Sequence, residues 1–125
     1  MEGDTTSLCF GGQPASMQCV APGEFDGSVL RRDGPRGVLF KADWCGYCRA
    51  FEQQYAAAAA VDPAHLLVAD LSDWDDPRWD DLDIVVVPTL VLFVGGTEVW
   101  RVDGVLGRGL RPDDLQALRA RIAAA

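Results

Sequence analysis

Two cysteines separated by two residues, Cys45 and Cys48, are the side chains whose type and spacing most directly suggest chemistry. They follow an apolar segment, Val38-Leu39-Phe40, that predicts a buried strand, and they precede an alanine-rich segment that predicts a helix. Cys45 is therefore expected at the amino end of a helix, where unpaired N–H groups and the helix dipole favour a thiolate. Cys48, one turn further on, is close enough to attack a disulfide formed at Cys45. The pattern predicts thiol–disulfide exchange, with Cys45 as the attacking thiolate and Cys48 as the resolving thiol. The active-site turn around them is completed by Trp44, Gly46 and Tyr47.

Zinc binding is the alternative chemistry for this spacing, because two cysteines two residues apart also form half of a zinc site. Zinc needs two further ligands, and the candidates are Cys9, Cys19 and the single histidine, His65. None of these forms a second close pair with another ligand. We therefore predict no metal site, and we expect His65 to be a loop residue.

Cys9 and Cys19 are separated by a stretch that contains Gly11, Gly12 and Pro14, which would let the chain fold back and bring the two sulfurs together. Three interpretations remain open. The pair could form a static disulfide that tethers the amino-terminal segment, or a second redox pair that exchanges electrons with Cys45 and Cys48. The two cysteines could also be unrelated, with Cys19 simply buried as a small hydrophobic side chain.

The composition limits the possible classes of protein. A chain of 125 residues with 49% hydrophobic and 24% charged residues is typical of one soluble domain. Its net charge of −8 argues against nucleic acid as a partner, because phosphates need Lys and Arg. The longest apolar run, Ile84–Val94, is interrupted by Pro88 and is too short to cross a bilayer, so no membrane partner is expected. The first six residues contain Glu2 and Asp4 and lack the features of a secretory signal, so a cytoplasmic location is expected.

The first half of the chain predicts an extension followed by alternating strands and helices. Residues 1–15 are polar and glycine-rich and predict a flexible extension, so that residues 16–125 form the domain. The predicted elements are a strand over 16–21, a short helix over 25–32, a strand over 37–42, a helix over 49–61 and a strand over 66–71.

The second half predicts a helix start, a hairpin and a final helix. Asp75 and Asp76 before Pro77 are typical of a helix start. A strand over 85–93, a turn at Gly95-Gly96 and a strand over 98–102 predict a hairpin, and Pro112 opens the last helix. The apolar face of that helix carries Leu115, Leu118 and Ile122. The order β-α-β-α-β-α-β-β-α predicts an α/β domain with a mixed central sheet flanked by helices.

The sequence resembles the thioredoxin family, and the resemblance extends beyond Trp44-Cys45-Gly46-Tyr47-Cys48 over about residues 16–125. Val87-Pro88-Thr89-Leu90 is similar to the family's cis-proline loop, and Gly104 is similar to the glycine of its substrate groove. The resemblance implies the thioredoxin fold, a cis bond before Pro88, and a substrate-binding surface made by Trp44, Val87, Pro88 and Gly104. The segment 25–30 looks like the family's first helix.

Three residues depart from the thioredoxin pattern. Tyr47 stands where thioredoxin has proline, and Cys-Gly-Tyr-Cys looks more like the active site of the periplasmic disulfide isomerase. This departure implies a more oxidising pair. Leu39 stands where thioredoxins bury an aspartate behind the resolving cysteine, and Asp103 gives the groove an acidic edge.

A proton relay could survive the loss of that aspartate. Lys41 lies two residues after Leu39, so both side chains point to one face of the sheet. Asp70 lies on the neighbouring predicted strand, where thioredoxins carry the lysine that partners the buried aspartate. A charge-exchanged pair of Lys41 and Asp70 is one interpretation, and two solvent-exposed charges at strand ends are the other.

The expected function is protein thiol–disulfide oxidoreductase activity, with protein disulfides as substrates and a partner reductase as the source of electrons. No organic cofactor is implied, and we expect a monomer. Two rival functions remain. One is a non-enzymatic adaptor that keeps the fold and only binds, and the other is a metal-binding protein that uses Cys9, Cys19, Cys45 and Cys48.

Overall fold

The computed structural model describes residues 18–125, and the predicted extension over residues 1–15 lies outside this range. The elements are β1 (Gln18–Cys19), a 3₁₀ turn (Pro22–Glu24), β2 (Phe25–Asp26), β3 (Val29–Leu30), β4 (Pro35–Lys41), α1 (Gly46–Val61), β5 (Leu66–Asp70), α2 (Arg78–Asp81), β6 (Thr89–Val94), β7 (Thr97–Asp103) and α3 (Pro112–Ala124). No helix in this part of the chain is long and apolar enough to cross a membrane.

A five-stranded mixed sheet forms the centre of the fold, with the strand order β1-β5-β4-β6-β7. β5 pairs in parallel with both β1 and β4, whereas β6 pairs antiparallel with β4 and β7. This is the mixed central sheet that the alternation of elements predicts. Because β4 lies in the middle of the sheet, its carboxyl end places the cysteine pair above the centre of the fold.

Each face of the sheet carries its own apolar cluster. On one face, α1 and α3 bury Phe51, Tyr55 and Leu118 against Leu39 and Leu90. The Tyr55 hydroxyl is fully buried and donates to the carbonyl of Leu67 at 2.5 Å, which ties α1 to β5. The other face is covered by the segments around β2, β3 and α2. The helix that positions the cysteines is thus fixed to the sheet by buried side chains along its length.

The helix predicted over residues 25–32 is wrong, since this segment is the hairpin of β2 and β3. Phe25 pairs with Leu30, and Asp26 pairs with Val29. The turn begins at Gly27, whose φ of 60° lies in the left-handed region that glycine adopts without steric cost. Phe25 and Leu30 are both buried in the apolar cluster on the sheet face that β2, β3 and α2 cover. The hairpin therefore buries the apolar side chains that suggested a helix.

The predicted strand over 85–93 is too long at its amino end. β6 begins at Thr89, after a proline that has no N–H to donate to a strand ladder. Residues 85–88 instead form a loop beside the cysteine pair. Helix α1 begins three residues earlier than predicted, at Gly46, which places both cysteines at its first turn.

Candidate active site

Cys45 occupies the position that precedes the first residue of α1, and its side chain caps the helix. The backbone N–H of Cys48 donates to the Cys45 sulfur at 3.3 Å. Both thiols are free, and both are buried, with exposed fractions of 8% for Cys45 and 0% for Cys48. The first turn of the helix therefore directs an N–H group at Cys45 Sγ, which is the stabilisation that a thiolate needs.

The environment of Cys48 keeps its thiol protonated. Burial raises the pKa of Cys48 well above its ordinary value, and the hydrogen bond with Cys45 and the negative charges of Cys45 and Glu52 raise it further. A hydrogen bond from the backbone of Ala42 acts in the opposite direction and is outweighed. A thiol in this state cannot compete with Cys45 for a substrate, and it needs a proton acceptor before it can attack.

The loop before β6 lies against Cys45. The Cys45 thiol donates to the carbonyl of Val87 at 3.5 Å, and the Val87–Pro88 peptide bond is cis. The N–H of Gly104 donates to the Pro88 carbonyl at 2.9 Å. A Cβ at position 104 would lie 2.5 Å from that oxygen, so only glycine permits this approach. The structure thus brings the predicted substrate-binding residues Val87, Pro88 and Gly104 to one side of Cys45.

An open groove of about 290 Å³ begins at Cys45 and has mostly apolar walls. Trp44 and Tyr47, two residues of the predicted turn, line it and are both 48% exposed. The sequence analysis missed the other wall residues, which are Trp74, Trp79, Val85, Val86 and Leu106. Two of these are tryptophans near the start of α2, Trp74 four residues before Arg78 and Trp79 one residue after it. Two tryptophans in an otherwise acidic segment are the signal that could have identified them.

Lys41 and Asp70 are register partners on β4 and β5, as the predicted sheet requires. Lys41 is 2% exposed, and its Nζ lies 2.7 Å from Asp43 Oδ1 and 3.6 Å from Glu52 Oε2. The Asp70 Oδ1 atom accepts from the backbone N–H and the hydroxyl of Ser72. The structure therefore gives Lys41 salt bridges to carboxylates other than the one that the sequence analysis assigned to it.

Glu52, which the sequence analysis missed, lies one turn after Cys48 on α1. Burial raises the pKa of Glu52, and the charge of Asp43 adds to that effect, whereas Lys41 and Arg49 lower it. The Oε2 atom of Glu52 is buried and has no hydrogen-bond donor among the residues described. The spacing of four residues from Cys48 is the signal that could have identified it, because residues i and i+4 share a helix face.

Of the remaining cysteine candidates, Cys19 lies in the described part of the chain. Cys19 is buried on β1 and is disulfide-bonded. Cys9, its predicted partner, lies outside the described residues. Within residues 18–125, no group of three or more His, Cys, Asp and Glu side chains could hold a metal ion.

Comparison with known proteins identifies relatives of this arrangement. A sequence model of thioredoxin matches residues 16–116. Thioredoxin of Mycolicibacterium smegmatis is 32% identical over 77% of this chain and 88% of its own length. The bifunctional thioredoxin reductase/thioredoxin of Mycobacterium leprae is also 32% identical over 77% of this chain, but the chain spans only 21% of that relative. In fold, the crystal structure of Chlamydomonas reinhardtii thioredoxin f2 is similar, with a TM-score of 0.67, 21% identity, and coverage of 84% of this chain and 94% of that one.

Proposed function

This chain belongs to the thioredoxin family and is a thiol–disulfide oxidoreductase, and we propose that it reduces protein disulfides with Cys45 as the attacking and Cys48 as the resolving cysteine. The observation that supports this proposal is that Cys45 and Cys48 have different surroundings. Cys45 Sγ receives the N–H of the first helical turn and reaches the groove, whereas Cys48 is completely buried behind it.

Two exchange steps transfer two electrons to the substrate. The Cys45 thiolate attacks one sulfur of the substrate disulfide, so that a Cys45–substrate disulfide forms and the other substrate sulfur leaves as a thiolate that takes up a proton. Cys48 then loses its proton and attacks Cys45 Sγ. The Cys45–Cys48 disulfide forms, and the second substrate sulfur leaves as a thiolate with the electron pair of the mixed-disulfide bond and takes up a proton. The protein is oxidised and the substrate disulfide is reduced.

The second step needs an acceptor for the Cys48 proton, and we assign this role to Glu52 rather than to Asp70. Glu52 lies one helical turn from Cys48, its carboxylate is mostly buried, and its raised pKa makes it a stronger base than an exposed carboxylate. Lys41 lies between Asp43 and Glu52, and its charge offsets part of the effect of burial on the pKa of Glu52. Asp70 has its Oδ1 engaged by Ser72.

A partner reductase is the proposed source of electrons for the oxidised pair. The Mycobacterium leprae relative combines a thioredoxin reductase and a thioredoxin in one protein, which supports a reductase as the partner of this chain as well. The groove that admits a substrate disulfide to Cys45 also offers a reductase dithiol access to the Cys45–Cys48 disulfide.

An assay of protein-disulfide reduction by dithiothreitol tests this function. The rate of reduction is measured as the rate at which the reduced substrate chain precipitates. The parent protein should accelerate the reaction, Cys45→Ser should abolish the acceleration, and Cys48→Ser should accumulate mixed disulfides through Cys45. Val61→Ser, at the exposed far end of α1, is the matched control and should behave as the parent. If the parent binds the substrate without accelerating its reduction, the chain is the adaptor that the sequence analysis kept as a rival.

A further inference from the structure

Three tryptophans form a continuous stack along the groove beside Cys45. The rings of Trp44 and Trp74 are stacked with centroids 4.6 Å apart, and those of Trp74 and Trp79 are stacked at 5.1 Å. Hydrogen bonds hold the rings of Trp44 and Trp79, because Trp44 Nε1 donates to the carbonyl of Ser72 and Trp79 Nε1 to that of Asp73. We call these three side chains the tryptophan shelf.

Two of the three shelf rings, Trp44 and Trp74, are exposed, whereas Trp79 is partly buried. Trp74 stacks with both anchored rings and is 68% exposed, and Leu106, which lines the same groove, is 89% exposed. Large apolar side chains that remain exposed beside a reactive group mark a binding surface, because leaving them in water has a cost in free energy. The shelf lines the same groove as Cys45 and Val87, so its occupant also contacts the reactive sulfur.

The segment that carries Trp74 and Trp79 is strongly acidic. Residues 73–83 contain six aspartates and one basic residue, Arg78. Arg78 is buried and paired with Asp76, so its charge is neutralised within the fold. The other five aspartates are exposed, and they are Asp73, Asp75, Asp80, Asp81 and Asp83. We call residues 73–83 the acidic loop.

The surroundings of the groove do not reverse this charge. The loop that carries Leu106, between β7 and α3, adds two cations, Arg108 and Arg111, against the five exposed aspartates of the acidic loop. Arg101, whose guanidinium donates to the carbonyls of Leu82 and Asp83, is paired with Glu98 and Asp103. An exposed aromatic face bordered by exposed carboxylates favours a cation, because the ring quadrupole and the carboxylates attract the same charge.

We propose that the tryptophan shelf and the acidic loop bind a cationic polypeptide segment next to the target disulfide, with an arginine or lysine side chain over an exposed ring face of the shelf. This inference rests on the proposed function for the position of the disulfide and extends it to the class of substrate. Apolar parts of the same segment pack on Val85 and Leu106, and the disulfide lies at Cys45. Substrates with acidic residues at that position are repelled.

Three peptides that differ at one residue test the proposal. Each carries the same internal disulfide, and the residue that flanks it is arginine, citrulline or glutamate; citrulline keeps the shape of arginine without its charge. At low ionic strength we expect kcat/KM for dithiothreitol-driven reduction to be about fivefold higher for the arginine peptide than for citrulline, and lowest for glutamate. At about 1 M salt, where the screening length falls to about 3 Å, the preference should decrease to about twofold.

Substitutions separate the contributions of the ring and of the charges. Trp74→Leu keeps an apolar side chain and should reduce the arginine preference to within about twofold, whereas Trp74→Phe should keep most of it. Asp75→Asn with Asp80→Asn should remove most of the salt dependence. Asp33→Asn, at the opposite end of β4, and Val61→Ala, at the far end of α1, are matched controls and should keep the parent's preference.

The affinities of the three reduced peptides, measured by tryptophan fluorescence, compare arginine, citrulline and glutamate without turnover. If no peptide is reduced but the arginine peptide binds best, the proposed function fails and the docking surface stands. If arginine and citrulline peptides bind and react equally, or if Trp74→Leu keeps the parent's preference, the docking surface is wrong.

Discussion

The two sides of the cysteine pair differ in almost every physical property. Behind Cys48, the Lys41 ammonium is buried between two carboxylates, that of Glu52, which is largely buried, and that of Asp43, which is exposed. In front of Cys45, most of the side chains are large, apolar and exposed, and they are bordered by the exposed carboxylates of the acidic loop. One side can change the reactivity of a thiol, and the other can contact a molecule from solution.

This difference indicates a division between chemistry and recognition. A buried charge acts strongly on its neighbours because little water screens it. An exposed surface has weak individual contacts but can select a substrate through their sum. We therefore expect substitutions behind Cys48 to change rates for all substrates, and substitutions in front of Cys45 to change the preference among substrates.

The largest effect should come from Arg78, which fixes the acidic loop to the sheet. Its guanidinium donates to Asp76 and to the carbonyls of Val20 and Asp70. Arg78→Met leaves these buried acceptors without a donor, and it should lower the free energy of unfolding by about 3–5 kcal/mol. Urea denaturation at neutral pH measures this, and Arg31→Met on the exposed hairpin is the control, with an expected change within about 0.5 kcal/mol.

The Arg78 effect should depend on pH in a defined direction. Burial tends to raise the pKa of Asp76, but the hydrogen bonds and charge of Arg78 outweigh it and hold that pKa below its ordinary 3.8. Such a carboxylate stabilises the fold above pH 3.8, and the stability is lost as pH falls through the folded-state value. The difference between the parent and Arg78→Met should therefore shrink in acid. A difference that is constant from neutral pH to pH 3 would mean that the ion pair is not its source.

Glu52→Gln should have the next largest effect, on the side behind Cys48. Without an acceptor for the Cys48 proton, resolution of the mixed disulfide at neutral pH should slow by about 100-fold. Attack by Cys45 should change little, and the resolution defect should decrease towards alkaline pH, where Cys48 ionises without help. Stopped-flow fluorescence with a disulfide peptide separates the two steps.

Asp70→Asn is the comparison that decides between the two carboxylates. We expect it to resolve the mixed disulfide at the parent rate, since its carboxylate is engaged by Ser72. If Asp70→Asn slows resolution and Glu52→Gln does not, the relay that the sequence analysis placed at Asp70 and Lys41 is the correct one.

The parts of this molecule that depend on local sequence could be predicted, and those that depend on distant contacts could not. The position of Cys45 at a helix start follows from an apolar strand and an alanine-rich helix on either side of it. The hairpin over 25–30 was missed because the conformation of Gly27 and the burial of Phe25 depend on the finished core. The tryptophan shelf was missed because Trp44 and Trp74 are 30 positions apart in the sequence and stack only in the fold.

The smallest effect should come from Tyr47, the residue between the cysteines that faces the groove. The proline that thioredoxin has at this position is expected to favour the disulfide form, so Tyr47→Pro should lower the reduction potential by about 30 mV, which is about tenfold in the equilibrium constant. The parent should lie above the thioredoxin value of about −270 mV. Equilibration with glutathione measures both, and Tyr47→Ala separates the loss of tyrosine from the gain of proline. A parent potential at or below −270 mV would contradict the role given to this position.

The division between the two sides is tested most directly by the double variant Glu52→Gln with Trp74→Leu and its two single variants. The measurement is the single-turnover rate of mixed-disulfide formation and of resolution, with the arginine and citrulline peptides. We predict that Glu52→Gln slows resolution equally for both peptides. Trp74→Leu should reduce the arginine preference in mixed-disulfide formation to within about twofold without changing the rate of resolution, and the double variant should show both effects together. If Glu52→Gln changes the peptide preference, or if Trp74→Leu slows resolution, then chemistry and recognition are not divided between the two sides of the cysteine pair.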